Sequence, residues 1–177
     1  KMAGGTLSKA IAKSCEKFET IDSADLEPLL RRIGDARIVL LGEATHGTSE
    51  FYRMRERISR ELIDRKGFSF IAIEADWPDA ARIDHYVRHA TYPASEWTAF
   101  ARFPTWMWRN REVREFVDWL RKRNGLVEPG KRVAFHGLDL YSLYTSIRSV
   151  LTYLDDIDPQ TAQVARQRYG CLTPWQT

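Results

Sequence analysis

A chain of 177 residues, 44% of them apolar and 29% charged, can bury a core and sits near the average for globular domains. No apolar run approaches the roughly 18 residues a membrane span needs. The net charge of +3 comes from interspersed signs rather than a basic block, which argues against nucleic acid as a partner. Lys9, Lys13, Glu16 and Lys17 break up the apolar positions at the start, so no signal-peptide pattern is read there. Cys15 and Cys171 stand at opposite ends with no metal-like spacing and are expected as reduced thiols. These features predict a cytoplasmic protein with no membrane contact.

Residues 1–35 read as N-terminal helices, over 6–17 and 23–33, the second capped by Asp22 or Ser23 and stopped by Gly34. Ile38–Leu41 is continuously apolar, which predicts a first strand over 37–41 buried on both faces. A helix over 48–66 follows, with Phe51, Met54, Ile58, Leu62 and Ile63 at helical spacing and Gly67 as its stop. A second strand over 68–74 ends in Glu74, and Pro78 sits in the first turn of a helix reaching His89. Residues 92–104 are irregular and rich in aromatics. A helix over 110–124, a short strand over 132–135 and helices near 141–154 and 159–169 complete the chain.

Strands separated by helices predict an α/β fold with a mainly parallel β-sheet flanked by helices. The whole of 1–177 reads as a single α/β domain, the N-terminal portion of a larger one. In a parallel sheet the carboxyl ends of all strands share an edge, where open α/β folds place their chemistry. Glu43 and His46 follow the first predicted strand, Glu74 and Asp76 end the second, and His136 and Asp139 end the third. They are expected to gather in one crevice. Each also has an ordinary reading. Carboxylates such as Glu43 or Asp139 can cap helices, Glu74 can pair with an arginine, and His136 can be a core histidine. His85 and His89, one turn apart among charged neighbours, read as surface residues.

No Gly-x-Ser-x-Gly elbow, phosphate loop or dinucleotide fingerprint is present. What remains is histidine with carboxylates. Such a set either activates water directly, with neutral imidazole as base, or binds a divalent metal that does so. Glu43, His46 and Glu74, with His136 or Asp139, are the candidate ligands in the second case, and the spacing does not choose between the two. A ligand-binding domain without catalysis is the third reading.

The segments Leu41-Gly42-Glu43-Ala44-Thr45-His46-Gly47, Glu50-Phe51-Tyr52-Arg53-Met54-Arg55 and Ile71-Ala72-Ile73-Glu74-Ala75-Asp76 resemble the erythromycin esterase family. Pro104-Thr105-Trp106-Met107-Trp108 and Gly137-Leu138-Asp139 extend the likeness, which covers the chain from about residue 20 onward. The resemblance implies hydrolysis of an ester, in the named members the macrolactone of erythromycin, with consequent antibiotic resistance. It implies His46 as general base on water without an obligatory metal or other cofactor, and Glu43 or Glu74 orienting the imidazole. Arg55 would stabilise the charge on the carbonyl oxygen, and a small-molecule ester or lactone would be the substrate. Family members run to about twice this length and draw further cleft residues from their second half. An oligomer is possible, and the particular ester does not follow from the match.

Trp97, Phe100, Phe103, Trp106 and Trp108 crowd together, and Trp77 follows the second strand. They form either an apolar wall for a bulky ligand or ordinary packing, since aromatics dominate cores. On the first reading Trp77, Trp106, Trp108, His136 and Asp139 would touch substrate.

Overall fold

The computed structural model describes residues 3–89, 99–100, 105–139 and 142–175. Most of the aromatic segment, including Trp97 and Phe103, lies outside the described residues. The chain divides into two compact units, Lys1–Leu62 and Ile63–Thr177.

In the first unit, α1 spans Ala3–Ser14, α2 Glu27–Ile33, and α3 Ser49–Lys66, whose last turn belongs to the second unit. Helix α2 begins later than the spacing predicts. Thr20 and Ser23 bond each other through their hydroxyls at 2.9 Å instead of capping it, and Asp25 Oδ1 takes the Glu27 N–H at 2.9 Å. Pro28 fills the first turn, and Gly34, at φ +54°, ends the helix by donating its N–H to Leu30 O. Arg57, projecting from α3, donates to Ile21 O and to Ala24 O, the latter at 3.0 Å. The turn before α2 is thereby tied to α3.

The strand predicted over 37–41 is corrected. Among the described residues this segment forms no strand, and Ile38 and Leu40 are 77% and 89% exposed. An apolar run supplies β propensity, but a strand exists only where its N–H and C=O groups meet a neighbouring ladder. Val39 and Leu41 are partly covered while Ile38 and Leu40 face water, the alternation of an extended segment covered on one side.

In the second unit, β1 (Phe70–Asp76) and β2 (Ala134–Asp139) form a parallel two-stranded sheet, with Phe70 opposite Ala134 and Ala72 opposite His136. Both strands start two residues beyond the predicted positions and run further. Helices α4 (Trp77–Arg88), α5 (Thr105–Trp108) and α6 (Arg111–Asn124) lie between them in sequence. Helix α4 packs on the sheet and α6 packs on α4. The buried side chains Ala80, Ile83 and Val87 of α4, Val113, Val117 and Leu120 of α6, and Phe135 of β2 make the core. The opposite face of the sheet is open, with Phe70 57% and Leu138 71% exposed. Asn124 closes α6 and clips the core. It is buried, donates to Val87 O and Val133 O at 3.1 and 2.9 Å, and accepts from Val133 N at 2.9 Å. Asp158 ends α7 (Leu143–Ile157) and caps α8 (Pro159–Tyr169) by accepting the Thr161 N–H at 3.0 Å.

The fold is thus α/β with a parallel sheet and flanking helices, as the alternation predicts, but with two strands among the described residues rather than three. No helix among those residues is long and apolar enough to cross a membrane, and both cysteine thiols are free and exposed.

Candidate active site

The segment between residue 42 and α3 carries Glu43 and His46 in a turn that closes at Gly47. Gly47 holds φ +79°, a conformation that suits a residue without Cβ. Thr45 and Thr48 join hydroxyls at 2.6 Å, and Thr48 O receives the first N–H groups of α3, from Phe51 and Tyr52. The polar turn therefore leads directly into the helix, and Arg55 lies in the second turn of that helix.

Glu43 bridges the other two groups. One oxygen meets His46 Nδ1 at 2.6 Å and the other accepts from Arg55 Nη1 at 2.6 Å. Exposure is graded, with the Glu43 side chain at 8%, Arg55 at 21% and His46 at 48%. The shared carboxylate is buried beneath a half-exposed imidazole. With Nδ1–H donated to Glu43, the lone pair falls on Nε2, which is the tautomer a base requires. Spacing left open which acid meets the ring, and in the structure Glu43 occupies Nδ1.

The second unit holds the remaining predicted residues at its strand ends. Asp76 and Asp139 stand opposite each other where the register of β1 and β2 shifts. The Asp76 Oδ1 atom accepts the Ser142 N–H at 2.8 Å, so a carboxylate from the other strand meets the start of α7. Glu74 and His136 lie on the open face of the sheet and both are exposed. The His136 ring meets Phe70 edge to face with centroids 5.9 Å apart. At Gly137 an added Cβ would lie 2.5 Å from Ala75 O and 2.8 Å from Asp76 O and Trp77 Cα, so the backbone of β1 crosses there at contact distance.

The aromatics divide. Trp108 is buried and donates its indole N–H to Glu74 O at 2.8 Å, with Phe100 6.5 Å from it, ring to ring. Trp106 is 49% exposed, and Trp77 begins α4, partly covered. Asp79, in the first turn of α4, has its carboxyl pKa raised from the ordinary value. Burial is the larger cause, opposed by Arg82 and by the Phe100 N–H. His85 and His89 stack at 4.5 Å and are exposed. Among the described residues no three His, Cys, Asp or Glu side chains are grouped as a metal site.

Sequence reasoning assigned no role to Tyr52. Its hydroxyl accepts the Gly47 N–H at 3.3 Å, and its ring lies 4.8 Å from Arg55 Cζ. The signal was available, since Tyr52 and Arg55 are three apart on one helix and share a face.

A parallel sheet with a helix packed on one face, in one unit, and a glutamate-bridged histidine in the turn before a long helix, in the other, describe an α/β protein. The erythromycin esterase family model matches residues 63–177, and the chain belongs to that family. It is 29% identical over 116 residues to erythromycin esterase type II of Escherichia coli, covering 66% of this chain and 26% of that protein. It is 26% identical over 148 residues to YbfO of Bacillus subtilis (strain 168), provisionally named a hydrolase, covering 81% of this chain and 31% of that one. A stretch of that extent in a 177-residue chain necessarily takes in Glu43, His46 and Arg55. The crystal structure of a succinoglycan biosynthesis protein superposes with a TM-score of 0.73 at 25% identity, over 98% of this chain and 44% of that one. The chain therefore spans between a quarter and a third of these two curated relatives.

Proposed function

We propose that this chain carries the water-activating part of a hydrolase that cleaves a carboxylic ester or lactone, with His46 as general base. The observation that supports this most is the Glu43 bridge, which orients the imidazole through Nδ1 and leaves Nε2 to accept a proton. In the step proposed, Nε2 takes a proton from water as the oxygen attacks the carbonyl carbon. The carbonyl electrons move to oxygen, and the Arg55 guanidinium stabilises that negative charge. The tetrahedral intermediate then collapses and breaks the bond to the alcohol oxygen, which recovers the proton from the imidazolium. One ester and one water become one acid and one alcohol, with no cofactor.

Glu74 is proposed as a second acidic residue of the cleft, and Trp77, Trp106, Trp108, His136 and Asp139 as residues facing substrate. Of these three tryptophans Trp106 is half-exposed, Trp77 is partly covered and Trp108 is buried. A macrolactone of the kind the Escherichia coli relative is named for is one member of the substrate class.

The test is hydrolysis of a panel of small esters and a fourteen-membered macrolide lactone by the full-length protein, with and without chelator, beside His46→Asn. Turnover that survives chelation and falls by at least about 10²-fold in the variant supports the reading. Loss of turnover on chelation moves the chemistry to a divalent metal held by the same residues. Ligand binding without turnover on any ester moves it to the non-catalytic reading.

A further inference from the structure

Glu43, His46 and Arg55 reach each other only if two pieces of backbone stay in register, the turn at 43–47 and the first turns of α3. Glu43 contacts each partner through a single oxygen, so a small shift of the turn would separate them. Tyr52 touches both pieces. It is 4% exposed, its backbone N–H bonds Thr48 O at 3.4 Å, and its hydroxyl accepts the Gly47 N–H beside His46. The ring meanwhile lies under the Arg55 guanidinium at 4.8 Å, within the range of a cation–π contact.

We propose that Tyr52 is a positioning residue for the water-activating site, its hydroxyl holding the His46–Gly47 turn and its ring seating Arg55. The inference rests on the hydrolase reading above and adds to it a residue that touches no reacting atom. A buried aromatic is suited to this work, because it offers a rigid apolar face to a cation and a polar tip to the backbone. Burial pushes the Tyr52 hydroxyl up from its ordinary pKa, with Glu43 adding to the effect and the Gly47 N–H and Arg55 opposing it. The hydroxyl therefore stays protonated through the neutral range and remains a hydrogen-bonding group rather than a charge. Gly47 lies outside α3 with a left-handed backbone, and the tyrosine hydroxyl ties its N–H to the helix.

The experiment compares Tyr52→Phe and Tyr52→Leu with the parent in the full-length protein. Its readouts are kcat and KM on a small ester, hydrogen exchange at the Gly47 amide, and the melting temperature. Tyr52→Phe keeps the ring and removes the anchor. It is expected to speed Gly47 exchange and lower kcat about tenfold, the scale of one hydrogen bond, with KM nearly unchanged. Tyr52→Leu also unseats Arg55, and kcat is expected to fall about 10²-fold. Val117→Ala, which loosens the core of the other unit, serves as the stability control. An equal kcat loss in that control at the same drop in melting temperature overturns the proposal, as does Gly47 exchange unchanged in Tyr52→Phe. Should the parent itself hydrolyse no ester, the hydrolase reading fails. The Gly47 exchange, together with the His46 ring resonances of Tyr52→Phe, then decides whether the tyrosine holds the turn.

Discussion

The two regions that carry the candidate residues are held by different means. Around Glu43 the partners are near in sequence, with His46 three residues away, Arg55 twelve, and Gly47 and Tyr52 five apart. At the ends of β1 and β2 they are distant. Asp76 meets Ser142 across 66 residues, Trp108 meets Glu74 across 34, and Asn124 meets Val87 across 37. The first region is a side-chain constellation on a turn, whereas the second is fastened largely by bonds to backbone. A change in the first should cost activity with little stability, and a change in the second should do the reverse.

The largest test of that contrast is Glu43→Gln. It removes the charge shared by His46 and Arg55 and presents an amide N–H to one of them. A fall in kcat/KM of about 10³-fold with a melting temperature close to the parent's is expected on a small ester. A collapse of stability instead would place Glu43 with the structural residues. Next comes Asn124→Ala, which strips three backbone groups in the core of their partner. Urea denaturation is expected to show a loss of about 3 kcal/mol. A neutral result would mean that the α6 clip is dispensable.

Trp108→Phe keeps the buried ring and removes its one donor to Glu74 O, so a loss of about 1 kcal/mol is expected by the same measurement. The smallest effect belongs to Asp79. Its folded form holds a proton more tightly than the unfolded chain does, so its contribution to stability falls as pH rises from the unfolded value toward the raised folded one. Relative to the parent, Asp79→Asn should therefore gain stability as pH rises over the interval that begins at about pH 4, the ordinary carboxylate value. Urea midpoints that keep a constant difference across that interval would count against burial as the dominant influence on this group.

The same contrast governs what could be read from residues alone. Helices α6 and α8 were legible from local pattern, and the structure closes each with a local cap, Asn110 and Asp158 accepting N–H groups at 2.9 and 3.0 Å. The parallel sense of the sheet followed from alternation, although β1 and β2 both began two residues late. The predicted strand at 37–41 failed because a ladder needs a neighbour, and no property of Ile38–Leu41 itself reports one. Glu43 and His46 were visible as a pair by spacing, but the choice of Glu43 for Nδ1 required coordinates. So did Asp76 at the start of α7, where proximity in sequence pointed to Asp139.

One feature of the second unit reaches beyond its own geometry. Gly137 stands where any Cβ would fall on the backbone of Ala75–Trp77, and that backbone cannot swing aside as a flexible side chain would. Every one of the other nineteen amino acids brings a Cβ, so the position tolerates no chemical graduation from small to large or from polar to apolar. In a saturation library selected for folded protein, position 137 should collapse to a single residue while its exposed neighbours His136 and Leu138 vary widely, so that depth of substitution alone would trace the crossing.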